Sequence, residues 1–540
     1  MVAIHGGQLI ARALRNEGVD TIFTLTGGHI VPILDGCARE GIKIVDVRHE
    51  QTAAHAAEAY TRLTGRLGVA AVTAGPGVTD TVTGVATAFY GGTPMLVLGG
   101  RHLIRQELKG GLQEMDHARL LHSITKWAAT AWQVDRLAEY VATAARHAFS
   151  GRGGPVFLDV PLDVQFDTVD DATVTLQGGH RATTPQSVDD AVLDRILGAL
   201  TGSERVVIFA GALAPGPNRL AELSEALQAP TFVNSQARGS LPFGHPLLGG
   251  HVRTRAMAEA EVVLALGVDW DFRTGYGEKV SPNGVVIQVD ADSWKVGWNR
   301  RADLGLVADP NTVISQLADR LAGKDRETPT WTKQIMEAEA EKIEAANTEA
   351  ADDSSPVMPQ RFARDVASFF GPDSIVSVDG GDIVSTTARW LQVSTPGHVL
   401  DPGPFGTLGT GAPYAIAAKV AFPEKRVGIV FGDGGFGFNG IEYDSMVRHR
   451  LAIIGVIGND GVWGNIKTFH RMAYPDRVVA ADLGVRPYHE MVRGLGGHGE
   501  LVEDPAQILP ALGRAEASGL PSLVNVHLAE TMRMSSNYAQ

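Results

Sequence analysis

Short apolar runs recur along the chain, and each run ends in glycines or in charged residues. Stretches with a helical spacing of apolar residues separate these runs, beginning with the first 20 residues. Short buried runs that alternate with helices predict parallel strands that are covered on both faces. In the first third of the chain the runs are TIFTLTGG, IKIVDVRHE, GVAAVTAGPG, PMLVLGG and GPVFLDVP.

The same alternation returns twice, with runs such as RVVIFAG and EVVLALG and then SIVSVDGGD and RVGIVFGDGG. It predicts an α/β protein with three doubly wound parallel-sheet domains, the central one Rossmann-like. The polar stretch 169–188 is predicted to be a linker, and a charged helix followed by ADDSSPV separates the second domain from the third. We place the domains at residues 1–168, 189–325 and 356–540.

Composition agrees with several soluble domains and restricts the function. A chain of 540 residues is too long for one ordinary core. The single cysteine, Cys37, excludes an intramolecular disulfide and a cysteine-based zinc site, which fits a reducing cytoplasm. A net charge of −14 argues against nonspecific nucleic-acid binding. The first 20 residues do not resemble a signal peptide and no run approaches 18 apolar residues, so we expect a cytoplasmic protein that does not span a membrane.

The stretch VFGDGGFGFNGIEYDSMVRHRLAIIGVIGNDGVWGN (430–465) places a carboxylate at the end of each of two apolar runs, Asp433 and Asp460. Its GDGGFG segment fits the pattern Gly-x-Gly-x-x-Gly between a strand and a helix. One interpretation is a dinucleotide site, with pyrophosphate at the glycines and ribose at Asp460. Another is a tight turn that binds no ligand.

A third interpretation is a site for a metal ion and a diphosphate. Asp433 and Asp460 lie 27 positions apart, one strand–helix–strand unit, so both carboxylates can meet at neighbouring strand ends. Hard oxygen ligands suit Mg²⁺, which also accepts backbone carbonyls and phosphate oxygens. The glycines and the following helix N-terminus offer backbone N–H groups to the phosphates.

GDG followed by ND resembles the signature of thiamin-diphosphate-dependent enzymes, whose usual second half is Asn-Asn. Asn459 and Asp460 therefore depart from the pattern by one residue. A carboxylate in place of the amide keeps an oxygen ligand and adds a negative charge. The resemblance implies that Asp433 and Asp460 bind Mg²⁺ through their side chains and Val462 through its carbonyl.

A second resemblance to the same family lies in RHEQTAAHAAEAYTR (48–62), which matches its glutamate motif. It implies that Glu50 hydrogen-bonds to the aminopyrimidine ring of the cofactor; a solvated helix-capping carboxylate is the alternative. The resemblance spans a pyrimidine-binding, a central and a diphosphate-binding domain. In this family the pyrimidine-binding domain of one subunit faces the diphosphate-binding domain of another, so a homo-oligomer, a dimer or a tetramer, is expected.

The segment GPFGTLGTGAPYAIAAK (403–419) resembles the part of the family that places a large apolar residue beneath the cofactor. Leu408 occupies that position, and an ordinary core leucine is the alternative. The residues expected to contact thiamin diphosphate are Glu50, Gly380, Gly406, Leu408, Gly432, Gly434, Gly435, Asn459 and Trp463.

Two stretches of the first domain resemble benzaldehyde lyase: TGGHIVPILDG, which carries His29, and GGLQEMDHARLLHSITKW, which carries Gln113. The resemblance implies a proton-transfer role for His29 and a hydrogen-bonding role for Gln113. A histidine can move a hydroxyl proton in either direction near pH 7. Gln113 cannot titrate, so we expect it to hold an oxyanion or a water molecule.

The third domain resembles other members of the family, because GDGGFGFNGIEYDSMVRHRLAI is similar to oxalyl-CoA decarboxylase and 2-hydroxyacyl-CoA lyase. The C-terminal ETMRMSSNYAQ is similar to the Arg-Ser-Asn endings of 2-hydroxyacyl-CoA lyases. Arg533, Ser536 and Asn537 are therefore candidates for closing over a CoA thioester, with a frayed terminus as the alternative.

Three further assignments are less specific. Glu490 lies on a predicted helix after a predicted long loop, 466–486. Because such loops often cover active sites, Glu490 is a candidate acid or base on the substrate hydroxyl, with an ordinary helix-surface glutamate as the alternative. Relatives of the central domain bind ADP or FAD. Of these ADP is favoured here, with Arg273 and Asp290 as candidate nucleotide contacts, although a vestigial site is an alternative. Arg253 is a candidate contact to a CoA phosphate.

Three hypotheses follow from the sequence. The first is a carbon–carbon lyase that cleaves 2-hydroxyacyl-CoA to formyl-CoA and an aldehyde or ketone, with acyloin-type condensation as the reverse reaction. The second is a carboligase or decarboxylase that does not use CoA, similar to acetolactate synthase or benzaldehyde lyase. The third is a noncatalytic homologue, which intact Glu50, Asp433 and Asp460 argue against.

Overall fold

Among the residues that it describes, the strands of the computed structural model form three six-stranded parallel sheets and one antiparallel pair. The α/β class with three doubly wound parallel sheets is therefore confirmed. The structure describes residues 3–178, 181–182, 184–214 and 219–531.

The chain divides into two compact units, each made of segments that are not consecutive in the sequence. The first unit contains the N-terminal sheet and two excursions from the last third of the chain, and the second contains the other two parallel sheets. The predicted domain limits stay predictions. The first unit comprises residues 1–183, 402–424 and 438–453; the second comprises residues 184–401, 425–437 and 454–540.

The N-terminal part alternates strands and helices as its apolar pattern predicts. Its elements are β1 (Ala3–His5), α1 (Gly6–Asn16), β2 (Thr21–Leu25), α2 (Val31–Arg39), β3 (Lys43–Asp46), α3 (Glu50–Thr64), β4 (Gly68–Val72), α4 (Pro76–Thr79), α5 (Val82–Gly91), β5 (Met95–Arg101), α6 (His117–Leu121), β6 (Trp127–Thr130), α7 (Leu137–Phe149), β7 (Pro155–Pro161), α8 (Leu162–Phe166) and β8 (Thr168–Asp170). The sheet order is β3-β2-β4-β5-β7-β6, and every residue of β4, β5 and β7 is buried.

The predicted linker 169–188 begins later than expected. β8 pairs antiparallel with β1, and Val169 lies opposite Ile4. Val169 and Val174 pack against the apolar core of the N-terminal sheet. The prediction of a linker from residue 169 was wrong here, because Val169 alone among polar residues is enough for a short edge pairing and Val174 adds a contact to the core.

The central part forms a second parallel sheet, in the order β11-β10-β9-β12-β13-β14, with apolar clusters on both faces. The long helix that follows it matches the charged helix predicted from the sequence. The elements are α9 (Asp190–Thr201), β9 (Val206–Ala210), α10 (Leu220–Leu227), β10 (Thr231–Val233), β11 (Leu248–Gly249), α11 (Arg253–Glu259), β12 (Val262–Leu266), β13 (Val285–Asp290), β14 (Leu304–Val307), α12 (Pro310–Leu321) and α13 (Thr330–Glu349).

The last third of the chain supplies the third parallel sheet, in the order β16-β15-β17-β18-β20-β19. Its elements are α14 (Pro359–Phe370), β15 (Ile375–Asp379), α15 (Asp382–Ala388), β16 (Val399–Leu400), α16 (Gly411–Ala421), β17 (Val427–Gly432), α17 (Asp433–Asn439), α18 (Tyr443–Arg448), β18 (Ile454–Asn459), α19 (Gly464–Ala473), α20 (Tyr488–Gly494), β19 (His498–Val502), α21 (Ile508–Ala517) and β20 (Ser522–His527). Across the described residues, every helix is too short or too polar to cross a membrane.

The register of the third sheet brings three strand ends to one edge. Asp379 of β15 pairs with Phe431 of β17, and Gly432 of β17 pairs with Gly458 of β18. The loops after these three neighbouring strands therefore start side by side. Such an edge, at the carboxyl ends of parallel strands, is where open α/β sheets bind their ligands.

Candidate functional site

Three carboxylates lie at the carboxyl edge of the third sheet, each just after a neighbouring strand. Asp433 is the first residue of α17 and directly follows β17, and Asp460 directly follows β18. Asp382 opens α15, just after β15. The negative charge of Asp382 is felt at both of the other carboxyl groups.

Burial and mutual repulsion make these carboxylates costly to ionise. Burial raises the pKa of Asp433 to about 6. Burial, followed by the charges of Asp433 and Asp382, raises the pKa of Asp460 to about 7. Within the described ranges, neither lysine nor arginine forms an ion pair with any of the three. Like charges gathered in this way strongly favour a bound cation.

The donor set fits a divalent metal ion. Asp433 Oδ1 accepts a hydrogen bond from the Gly434 N–H at 2.9 Å, whereas its Oδ2 is buried without a hydrogen-bond partner among the described residues. Asp460 Oδ1 accepts from the Val462 N–H at 3.2 Å. An orphaned buried carboxylate oxygen beside a second carboxylate is an arrangement that suits a hard cation such as Mg²⁺.

The glycines of this edge allow close packing as well as ligand access. A Cβ atom on Gly434 would lie 2.3 Å from the Trp463 ring, and one on Gly435 would lie 3.0 Å from the Asp379 carbonyl oxygen. Gly380 has a φ of +129°, and its Cβ would lie 2.9 Å from the Gly432 nitrogen. At least Gly380 and Gly434 are therefore required by the fold itself.

Asn459 takes a supporting position rather than an open one. Its side chain is fully buried, and Nδ2 donates to the Arg486 carbonyl at 3.0 Å and to Asn525 Oδ1 at 3.0 Å. Its Oδ1 has no hydrogen-bond partner among the described residues. Asn459 therefore fixes the end of β18 immediately before Asp460.

Asp382 is the functional candidate that the sequence analysis missed. Its side chain packs against the backbone of Gly464, where a Cβ would meet Asp382 Oδ2 at 2.6 Å. Burial raises its pKa. In the sequence, the run SVDGGD indicates only a strand end. A third acid just after a neighbouring strand is the feature that could identify Asp382.

Glu50 is the first residue of α3 and is buried, at 8% exposure. Burial raises the pKa of its carboxyl group, and the charge of Asp80 adds to this. Gly77 lies alongside, and a Cβ there would be 3.5 Å from Glu50 Oε1. Such a carboxyl group, with its pKa raised by burial at the start of α3, can share a proton with a ring nitrogen.

Two sets of hydrogen bonds within the first unit hold α3, the helix that begins with Glu50. Glu442, fully buried, accepts hydrogen bonds from the Arg48 N–H at 3.0 and 3.2 Å, two residues before Glu50. Further along α3, Glu58 Oε2 accepts from the Tyr414 hydroxyl of α16 at 2.6 Å. These buried contacts, remote in sequence, hold the start and the middle of α3.

His29 and Gln113 come together in the first unit. His29 lies in a short 3-10 turn after β2, its Nδ1 is 3.2 Å from Thr73 Oγ1, and its carbonyl accepts from Gln165 Nε2 at 2.7 Å. Burial and then the nearby His102 lower the pKa of His29, and a side-chain hydrogen bond with Gln113 partly opposes this. His29 is therefore mainly neutral at pH 7 and can accept a proton.

Leu408 and Gly406 belong to the segment of the first unit before α16. Leu408 is half-buried, and Gly406 has a φ of +66° at the end of a 3-10 turn. Their expected contacts with the cofactor stay predictions.

Glu490 lies on α20, as predicted, but it is exposed and pairs with Arg493 at 2.8 Å. The segment before it is not one long loop, because α19 occupies Gly464–Ala473. The prediction of a continuous loop over 466–486 was wrong, since Ile466, Phe469 and Met472 have helical spacing.

The candidate residues of the central sheet lie at its carboxyl edge. Asp290 ends β13, is fully buried, and accepts from the Asp292 N–H at 2.9 Å. Arg273 pairs with Asp271 at 2.7 Å. Arg253 lies over the Phe209 ring, 5.3 Å from its centroid, and donates to the Arg273 carbonyl. Arg533, Ser536 and Asn537 lie outside the described residues.

Three family models match consecutive parts of the chain. The model described as "Thiamine pyrophosphate enzyme, N-terminal TPP binding domain" matches residues 4–120, and its central-domain counterpart matches residues 193–317. The model described as "Thiamine pyrophosphate enzyme, C-terminal TPP binding domain" matches residues 379–526. The last range contains Asp382, Asp433 and Asp460.

Curated relatives cover nearly the whole chain. The chain is 40% identical over 531 residues to "Acetolactate synthase large subunit IlvG" of Mycobacterium tuberculosis, covering 97% of this chain and 95% of that protein. It is 34% identical over 581 residues to "2-hydroxyacyl-CoA lyase 2" of Caenorhabditis elegans, and 33% identical over 575 residues to the human protein of that name. Each of these two matches covers 98% of this chain and 90% of the relative.

Proposed function

Because the chain belongs to the thiamine pyrophosphate enzyme family, we propose that it is a thiamin-diphosphate-dependent carbon–carbon lyase acting on 2-hydroxyacyl-CoA. The products are formyl-CoA and an aldehyde or ketone, and the reverse reaction is an acyloin-type condensation. The observation that carries the proposal is that His29, buried and with a lowered pKa, lies beside Gln113.

We propose that the carboxylate edge of the third sheet holds the metal ion and the diphosphate. Asp433 and Asp460 bind Mg²⁺ through their side chains, and Val462 binds it through its carbonyl. Asp382 completes the anionic surroundings of the metal. Thiamin diphosphate, when bound, supplies a nucleophilic carbon and an electron sink.

Glu50 acts on the cofactor ring and His29 acts on the substrate. The Glu50 carboxyl group, with its raised pKa, exchanges a proton with the aminopyrimidine. His29 accepts the proton of the substrate 2-hydroxyl group as the bond between carbons 1 and 2 breaks, so that this oxygen becomes the carbonyl oxygen of the released aldehyde or ketone. Gln113 donates a hydrogen bond to the same oxygen and keeps it in line with His29.

The test is incubation of the purified protein with thiamin diphosphate, Mg²⁺ and a mixture of 2-hydroxyacyl-CoAs. We expect formyl-CoA, followed by mass, in wild type and a large loss in His29→Gln. His122→Gln is the matched control, because His122 is exposed. Release of CO₂ from pyruvate without any formyl-CoA would refute the lyase assignment.

A second candidate is an acetolactate synthase, and the 40% identity to a relative of that name favours it. Formation of acetolactate from pyruvate by a yellow, FAD-containing preparation would support this candidate instead. Cleavage of benzoin would support a benzaldehyde-lyase-like enzyme.

We also propose the secondary contacts. Arg253 and the C-terminal residues Arg533, Ser536 and Asn537 are assigned to the CoA thioester, and Glu490 to proton transfer at the substrate. Arg273 and Asp290 are assigned to ADP in the central domain, with FAD less favoured. The enzyme is expected to be a cytoplasmic homo-oligomer, a dimer or a tetramer.

A further inference from the structure

A fully buried histidine–aspartate pair lies behind the proposed substrate groups of the first unit. His117, at the start of α6, and Asp159, in β7, are both 0% exposed. His117 Nδ1 is 3.0 Å from Asp159 Oδ1. The other carboxylate oxygen, Asp159 Oδ2, accepts a hydrogen bond from Arg101 Nη1 at 2.8 Å.

The hydrogen bonds fix the tautomer of His117. The backbone N–H of Gly75 donates to His117 Nε2 at 2.8 Å, so Nε2 carries no proton. The single ring proton is therefore on Nδ1, where it is donated to Asp159. The imidazole is neutral in this arrangement, because a proton on Nε2 would face the Gly75 N–H.

Gly75 is the point at which His117 reaches the proposed site. Its φ is +58°, and a Cβ there would lie 2.8 Å from Gln113 Cβ and 3.1 Å from Gln113 Cα. Gln113 itself has a φ of +61°, a backbone conformation that a non-glycine residue keeps only when its surroundings hold it there. His117 follows Gln113 by four residues, so the two chain segments contact each other at two points.

The loop around Gly75 also reaches the other proposed groups. Thr73 Oγ1 lies 3.2 Å from His29 Nδ1, and Gly77 packs beside Glu50 Oε1. A displacement of this loop therefore moves the surroundings of His29 and Gln113 together.

We propose that His117, held by Asp159 in the Nδ1–H tautomer, is a positioning residue that fixes Gly75 and thereby the placement of Gln113 beside His29. His117 touches neither substrate nor cofactor in this account. The inference rests on the proposed function, in which Gln113 and His29 act on the substrate.

Two variants with side chains of similar size distinguish the effect of the hydrogen bond from the effect of side-chain volume. His117→Gln can present an acceptor oxygen to the Gly75 N–H, whereas His117→Leu fills the space without an acceptor. We expect kcat to fall about 100-fold in H117L, as for a displacement of about 1 Å at a catalytic group, and H117Q to recover most of that loss. His122→Leu is the control on the exposed histidine five residues later and is expected to leave kcat unchanged.

A double-mutant cycle with Gln113→Ala distinguishes positioning from a structural defect. If His117 acts through Gln113, H117L lowers kcat only slightly further in a protein that already carries Q113A. If the two act independently, the losses in kcat multiply to within about twofold, and the inference is overturned. Equal losses in H117Q and H117L overturn it as well.

Melting temperatures report whether each variant is folded. If H117L does not fold, Asp159→Asn takes its place: with its oxygen on Arg101, the new amide faces His117 and moves the ring proton to Nε2, against the Gly75 N–H. We expect D159N to show the same loss and the same non-additivity with Q113A; additive losses overturn the inference. A wild type that makes no formyl-CoA refutes the proposed function alone, and the cycle is then measured on acetolactate formation.

Discussion

Relative to wild type, Asp460→Asn should stabilise the metal-free protein and destabilise the metal-bound protein. The substitution removes one of three gathered carboxylates and keeps an oxygen at the same position. Without a metal, ionised Asp460 is repelled by Asp433 and Asp382 in a poorly hydrated place. With Mg²⁺ bound, the same negative charge becomes favourable, so the sign of the effect reverses.

The magnitude follows from the pKa of Asp460. A rise from its ordinary value of 3.8 to about 7 corresponds to about 4 kcal/mol for ionising the folded carboxyl group. Asp460 is only half-buried, so solvent screening reduces this, and we expect about 2 kcal/mol at pH 8. Because the folded state binds the proton more tightly than the unfolded state, this penalty appears as the pH rises from about 4 through about 7.

Thermal unfolding at pH 8 and pH 5, each in chelator and in excess Mg²⁺, measures both signs. We expect D460N to melt about 4 to 8 °C above wild type in chelator at pH 8, with a smaller gap at pH 5. Magnesium should stabilise wild type more than D460N. Asp476→Asn, on an exposed residue, is the control. Equal melting temperatures in chelator, or equal stabilisation by Mg²⁺, would refute the reasoning.

Three further changes test other parts of the account. The acid limb of the pH profile of kcat should lie below pH 6.5, because His29 must be neutral to accept a proton and its pKa is lowered. His29→Gln should remove that limb and reduce kcat by about 100-fold or more. An unchanged acid limb in this variant would contradict the role of His29 as proton acceptor. Gly434→Ala should destabilise the protein by about 1–3 kcal/mol through overpacking, because the new Cβ would lie 2.3 Å from the Trp463 ring. The fluorescence of Trp463 should change as well. A melting curve and a fluorescence spectrum like those of wild type would contradict this packing. Tyr414→Phe should lower the free energy of unfolding by about 1–3 kcal/mol in chemical denaturation, because buried Glu58 Oε2 loses the hydroxyl that donates to it. An unchanged free energy of unfolding would contradict a stabilising role for this hydrogen bond.

The sequence predicted the fold class because the determinants of these sheets are local. Apolar runs such as VVIFA become β9 and VGIVFG becomes β17, each buried throughout. The approach of Asp433 and Asp460 followed from the parallel order of their strands, which a spacing of 27 residues makes plausible. The short strands β16 and β11, two residues each, have no such pattern and were not predicted.

The residues that support the proposed site could not be found in the same way. Glu442 holds the backbone before Glu50 from 394 positions away, and His117 reaches Gly75 from 42 positions away. Neither spacing corresponds to a helix turn, a strand pair or one strand–helix–strand unit. Only the tertiary structure shows that Glu442 binds the backbone just before Glu50 and that His117 binds the backbone of Gly75.

The central claim is that a metal held by Asp433 and Asp460 binds the diphosphate of thiamin diphosphate. Calorimetric titration of the cofactor into the metal-free protein tests it directly, once with Mg²⁺ and once with chelator. The account predicts saturable heat with one cofactor per chain in Mg²⁺, and loss of that heat in chelator and in Asp433→Ala. Binding of the same strength without a divalent ion, or no heat under any condition, would contradict it.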